Sequence, residues 1–155
     1  MLVKRLVAGL TAMVTAVLGL NLATAGPATA ASGVWRAYGN TNPITSSPST
    51  WACWWSVPFD VDMVAQVCTV RSADGRSAQG AVIVRNNRSV RFVATATMHV
   101  NDVNGARIGD WSCPYSGVAA HSWSVCFGQT FTKSSLVSTA ATVNTIYDLG
   151  ESPLI

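Results

Sequence analysis

The chain is poor in the side chains that do chemistry. It has two histidines and seven acids in 155 residues, and no fourfold set of close metal ligands. A glycosidase needs two carboxylates facing across a cleft, and with so few acids no pair stands out. No nucleophile-elbow sequence frames any serine. The hydrolase reading therefore rests on His121 alone, close in sequence to Ser116, Ser122 and Ser124, with Asp110 or Asp148 as partner. His99 falls on the polar side of a strand pattern and reads as a surface histidine. Asp60 and Asp62 would share a face of a strand and suit a hard cation such as calcium, but such a pair is more simply a solvated loop edge. No metal and no cofactor are expected.

Helical periodicity is missing too: beyond residue 30, no segment keeps a 3.6-residue repeat over three turns. A second long apolar run is also lacking, so nothing after the N-terminus reads as a membrane span. The one such run, residues 6–22, follows Lys4 and Arg5 and leads to Ala28-Thr29-Ala30. That order is the form of a secretory signal with a small-x-small cleavage site. Residues 1–30 are expected to be removed and the remainder secreted. The Lys-Arg pair is not a twin arginine, and no cysteine near the site offers a lipid anchor.

Removing Lys4 and Arg5 leaves eight basic residues against seven acids, so the formal charge falls from +3 to +1. The alkaline balance thus belongs in part to the signal segment and gives no reason to expect nucleic acid. Lys133 is the sole lysine of the exported part. Arg71, Arg76, Arg85, Arg88 and Arg91 crowd together with only Asp74 among them. They read either as a patch for an anionic polymer or, more simply, as strand-edge and turn charge that keeps a sheet from pairing with itself.

The cysteines, four in all, fall into two similar units. Trp51-Ala52-Cys53 is followed by Val67-Cys68, and Trp111-Ser112-Cys113 by Val125-Cys126. In an exported chain of this size they are expected to form two disulfides. The duplication favours Cys53–Cys68 with Cys113–Cys126, each closing a loop of about 15 residues worth about 3 kcal/mol on chain-entropy grounds. Pairing Cys68 with Cys126 across two sheets is the rival. The spacings fit no usual zinc pattern.

Residues 31–50 hold glycines, asparagines, prolines and a Ser/Thr cluster that resist regular structure. They read as an extended lead-in pinned by Trp35 and Tyr38, ahead of a single disulfide-bonded β domain over residues 51–155. Strand patterns then follow over residues 63–71 and 78–85, the latter holding Ala81-Val82-Ile83-Val84, too apolar for an exposed strand. The clearest places Val90, Phe92, Ala94, Ala96, Met98 and Val100 on one face and Arg91, Thr95, Thr97, His99 and Asn101 on the other. This is the alternation of a half-buried antiparallel strand. Asn104-Gly105 reads as a hairpin turn into residues 106–113, and residues 122–128 and a run through Val137, Ala141 and Val143 complete the set. About seven short strands imply an all-β fold, a small antiparallel β-sandwich of immunoglobulin-like or similar type, with a closed barrel as the alternative. A loose echo of Ile108-Gly109-Asp110 in Leu149-Gly150-Glu151 raises an internal repeat.

The aromatics carry the functional expectation. Trp51 and Trp111 read as core packed on the disulfides. Trp54 and Trp55 are neighbours, so in an extended segment they point opposite ways, and one of them is exposed unless something covers it. An exposed indole on a rigid secreted scaffold suits stacking on a sugar ring or burial in a protein interface. The candidate contact residues are Trp54, Trp55, Tyr115 and His121.

In size, export and two bridges the chain is similar to secreted subtilisin inhibitors and to carriers of antitumour chromophores, but its cysteine framework matches neither. The expectation is a monomeric, non-catalytic binding protein for an extracellular polysaccharide or a secreted or surface protein. An enzyme inhibitor presenting residues 114–121 as a pre-ordered loop is the alternative, and a small hydrolase the second.

Overall fold

The computed structural model describes residues 30–155. The expected signal peptide, residues 1–30, lies outside the described residues except for Ala30. All repeating structure among the described residues is strand, in two sheets. The first sheet holds, in spatial order, β1 (Ala31–Ser32), β8 (Arg107–Val118), β7 (Phe92–Asp102), β11 (Val137–Val143) and β12 (Tyr147–Glu151). The second holds β2 (Val34–Gly39), β9 (Ser122–Phe127), β6 (Ser77–Asn86), β5 (Met63–Arg71) and β3 (Thr50–Cys53). There β4 (Val57–Asp60) also pairs with β5, and β10 (Phe131–Thr132) with β6. Every pairing is antiparallel except β1 on β8.

Burial follows the period of two. In β7, Ala94, Ala96, Met98 and Val100 point inward, while Thr95, Thr97 and His99 alternate with them on the wetter face. With Met63, Val67, Val82 and Val84 from the second sheet they form one core shared by both sheets. Each such valine or methionine contributes roughly 1.5–3 kcal/mol on burial, and each alanine less. Val90, expected on the inner face, falls before β7 and is 62% exposed.

β6 is apolar on both faces because both are covered. Val82 and Val84 enter the shared core, while Ala81 and Ile83 join Cys68, Val70 and Val125 on the outer face of the second sheet. Tyr38, Ile44 and Trp51 pack over that outer cluster. A strand buried twice has no polar side to show, which explains the unbroken apolar run.

The two cysteine units pair as the duplication suggests but do different work. Cys53 and Cys68 are directly opposed on β3 and β5 within the second sheet. Cys113 and Cys126 join β8 to β9, and so join one sheet to the other through the core. The units are therefore not structurally equivalent.

Residues 31–39 belong to the sheets instead of leading up to them. Their irregular composition hides two edge strands, because an edge strand needs only backbone bonds on one side. The chain crosses from β1 in the first sheet to β2 in the second at Gly33, directly over the inter-sheet bridge. A Cβ there would lie 2.8 Å from Cys113 Sγ and 2.7 Å from the Phe127 carbonyl oxygen, so only glycine fits. Trp35 Nε1 donates to the Pro114 carbonyl at 2.6 Å and fixes this crossing.

A hydroxyl network ties the sheets through the core elsewhere. Thr69 Oγ1 on β5 meets Thr139 Oγ1 on β11 at 2.6 Å and Ser152 Oγ at 2.8 Å, and the Thr139 N–H donates to Ser152 Oγ at 3.0 Å. All three residues are buried. Each hydroxyl satisfies another, which is what makes polar groups tolerable there.

Candidate functional site

One flank of the molecule is closed by the Gly33 crossing. At the opposite flank the edge of the second sheet, β3 and β4, meets the edge of the first, β12. Both edges are irregular at the same place.

On the second sheet, β3 and β4 form one interrupted edge strand along β5. Cys53 pairs with Cys68 and Val57 with Ala65, so the three residues Trp54, Trp55 and Ser56 lie opposite Val67 and Gln66 alone. One residue too many must bulge, and a bulge re-aims side chains. The backbone at this point is held firmly. The Trp54 N–H donates to the Val67 carbonyl at 2.9 Å, and Gln66 Nε2 donates to the Trp54 carbonyl at 2.5 Å.

On the first sheet, β12 bulges in turn. Ala140 pairs with Glu151 and Thr142 with Asp148, so Leu149 and Gly150 oppose Ala141 alone. Gly150 takes φ +73, a conformation glycine adopts without steric cost, and its N–H donates to Asp148 Oδ1 at 2.9 Å. The absence of a side chain leaves room for the Trp54 indole to lie on it. Trp54 is 43% exposed, whereas Trp55 is thrown into solvent at 77%.

These two tryptophans border an open cleft of ≈ 570 Å³ that also touches Cys53, Gln66 and Pro153. A second cleft, ≈ 520 Å³, shares Trp54 and continues along Gly150, Glu151 and Leu154. A third of the same volume shares Gly150 and Glu151 and reaches His99, Ile146 and Asp148. The Glu151 carboxylate accepts a hydrogen bond from Ser138 Oγ and another from Asn101 Nδ2 at 3.1 Å. These bonds, the Ser138 hydroxyl foremost, hold its pKa below the ordinary carboxylate value, and His99 adds to the effect.

The other candidate residues stand elsewhere. Tyr115 is 82% exposed on β8, where residues 114–115 bulge against Thr95. Residues 114–118 are strand, not loop, and pair with β7 over part of their length. His121 occupies the β8–β9 turn with φ +49; its N–H donates to the Arg88 carbonyl and its own carbonyl accepts from Arg85 Nη1. It is an exposed turn residue and lines none of the three clefts.

Four of the five crowded arginines are tied down by contacts of their own, and Arg76 stands exposed. Arg71 donates to the carbonyls of Gly75, Lys133, Ser135 and Ile155 at 2.7–3.0 Å. Arg85 lies over the Trp123 ring, and Arg91 lies against Gly117. Arg88 pairs with Asp60 at 2.6 Å, which also removes Asp60 from any joint cation site with Asp62. Among the described residues, no three His, Cys, Asp or Glu side chains converge as metal ligands.

Sequence reasoning singled out Trp54 and Trp55 but missed Gly150 and Glu151. The only signal was the positive-φ tendency of a glycine inside a strand pattern, which marks a bulge or a close approach. Compared with protein-family models, with curated proteins and with solved structures, this chain matches none.

Proposed function

We propose that the protein is an exported, monomeric, non-catalytic β-sandwich that binds an extracellular polysaccharide through the flank where Trp54 and Trp55 meet β12. The observation that carries this reading is Trp55, held 77% exposed on a hydrogen-bonded bulge beside an open cleft. An indole in water offers a large flat apolar face, and a sugar ring offers an apolar face of matching size. A rigid backbone beneath it means little ordering entropy is lost on contact. Gln66 and Ser56 at the cleft supply the polar groups that orient hydroxyls.

Two disulfides are consistent with an extracellular protein and support export. The sandwich assignment, immunoglobulin-like or similar, is supported by a buried bridge between facing sheets with Trp111 in the same core. The inhibitor alternative draws no support from residues 114–118, since they lie in β8 and not in a free loop.

Retention of the purified protein on insoluble chitin, cellulose and bacterial cell wall tests the proposal. Selective retention on one of them, reduced about tenfold or more by Trp55→Ala with folding intact, is the expected result. No retention on any, or retention indifferent to both Trp54→Ala and Trp55→Ala, would overturn it.

A further inference from the structure

The three clefts adjoin one another on the flank that β12 edges, and together they form the candidate groove. Trp54 is common to the first and second, and Gly150 and Glu151 are common to the second and third. From Asp148 to Pro153 the chain that floors it covers roughly 15 Å at about 3.3 Å per strand residue. That is too long for one sugar and suits an interior stretch of a linear chain. The groove is also uneven in chemistry along its length. The Trp54–Trp55 end is aromatic, while the far end presents Glu151 and Asp148.

The charge of this lining has one sign. Among the described residues no lysine or arginine lines any of the three clefts, and His99 is the sole basic ring. Asp102, also on the groove, is spent on its own turn, accepting from the Asn104 and Ala106 N–H groups, and has Lys133 3.9 Å away. Glu151 and Asp148 differ. Glu151 Oε1 takes both hydrogen bonds from Ser138 and Asn101, and Asp148 Oδ1 takes that from Gly150. The second oxygen of each carboxylate has no protein partner among the described residues. Both residues line the third cleft, where among the described residues His99 is the only basic side chain beside them.

Resting on the polysaccharide-binding reading above, we infer that the groove takes a linear glycan bearing free amino groups. Its sugar faces stack on Trp55 and Trp54, and its ammonium groups are received by Glu151 and Asp148. An ammonium donor to a carboxylate makes a charge-assisted hydrogen bond, about twice as strong as the neutral bond an N-acetyl group offers. A neutral or anionic glycan would leave those carboxylates unmatched or repelled.

The test compares soluble oligomers of glucosamine and of N-acetylglucosamine, matched in length, by calorimetric titration of the full exported protein. The glucosamine series is expected to bind about tenfold tighter, with affinity rising from short to long oligomers. Asp148→Asn and Glu151→Gln should each erase most of that preference, and thermal denaturation of each variant beside the wild type checks that it is folded. Trp55→Ala should weaken both series alike. Equal binding of the two series, or a preference for the acetylated one, would overturn the amino-sugar inference and leave the polysaccharide reading standing. Absence of binding to both series, together with no retention on any insoluble polysaccharide, would overturn both.

Discussion

The indole of Trp54 lies on Gly150. A Cβ at that glycine would come within 2.9 Å of Trp54 Nε1. The contact joins the bulged edge of one sheet to the bulged edge of the other and sets the floor of the groove between them. Neither edge offers a flat row of free backbone groups, so the same irregularity that builds the site also blunts edge-to-edge aggregation.

Gly150→Ala is expected to fail twice. An alanine at φ +73 costs roughly 1–2 kcal/mol in backbone strain, and its methyl displaces the Trp54 ring. Urea denaturation should show the stability loss, and binding should fall by more than stability alone explains. Unchanged stability would mean that β12 relaxes freely, and that this edge is not rigid.

The buried hydroxyl network is expected to be worth more than its size suggests. Ser152→Ala removes the acceptor of the Thr139 N–H in a dry site. Leaving that donor unsatisfied costs about 1–3 kcal/mol. Thr69→Val, which keeps the shape but leaves the buried Thr139 hydroxyl without its partner, should cost a similar amount, as chemical denaturation of the two variants side by side can show.

The two disulfides should separate by accessibility. Cys113 and Cys126 are 2% and 0% exposed, whereas Cys53 is half-buried at the first cleft. Mild reductant under native conditions followed by thiol labelling should modify Cys53 first. Replacing both Cys113 and Cys126 by alanine should cost about 2–5 kcal/mol, because the bridge that joins the sheets is then gone. Labelling of Cys113 ahead of Cys53 would contradict this order.

Acid should loosen the β11–β12 edge. The Glu151 carboxylate is held below its ordinary value of 4.5, so its folded pKa lies under its unfolded one. The stability it contributes is fully present above the unfolded value and is lost as pH falls through the folded one. Stability measured from neutral to acidic pH should fall less steeply below 4.5 in Glu151→Gln than in the wild type. Its contribution is tempered by solvent at this exposed position.

Much of the central sheet was legible because period-two burial is a local property. The pattern over residues 63–71 coincides with β5, and the alternation of Ala94, Ala96, Met98 and Val100 marks the inner face of β7. The pairing of the cysteines also followed from their spacing, but their roles did not. Which sheet a strand joins depends on long-range contacts, so Cys113–Cys126 could not be read as an inter-sheet bridge. β1, β2 and β12 were missed for a different reason. They are edge strands, short or bulged, and glycine and exposed residues suffice for them. At the site, adjacency made Trp54 and Trp55 visible as a pair pointing different ways. Gly150 and Glu151 lie about a hundred residues further on, and only the meeting of two sheet edges brings them beside the tryptophans.

The central claim, that the Trp54–Trp55 flank is the contact surface, is tested most directly by the indole N–H signals of the six tryptophans. Each gives one resonance in a nitrogen–proton correlation spectrum, assigned by single substitutions. On titration with a soluble oligomer of a polysaccharide that retains the protein, Trp55 and then Trp54 should shift, while Trp35, Trp51, Trp111 and Trp123 stay in place. Shifts confined to Trp35 or Trp123, with Trp54 and Trp55 unmoved, would place binding on another face and contradict the account.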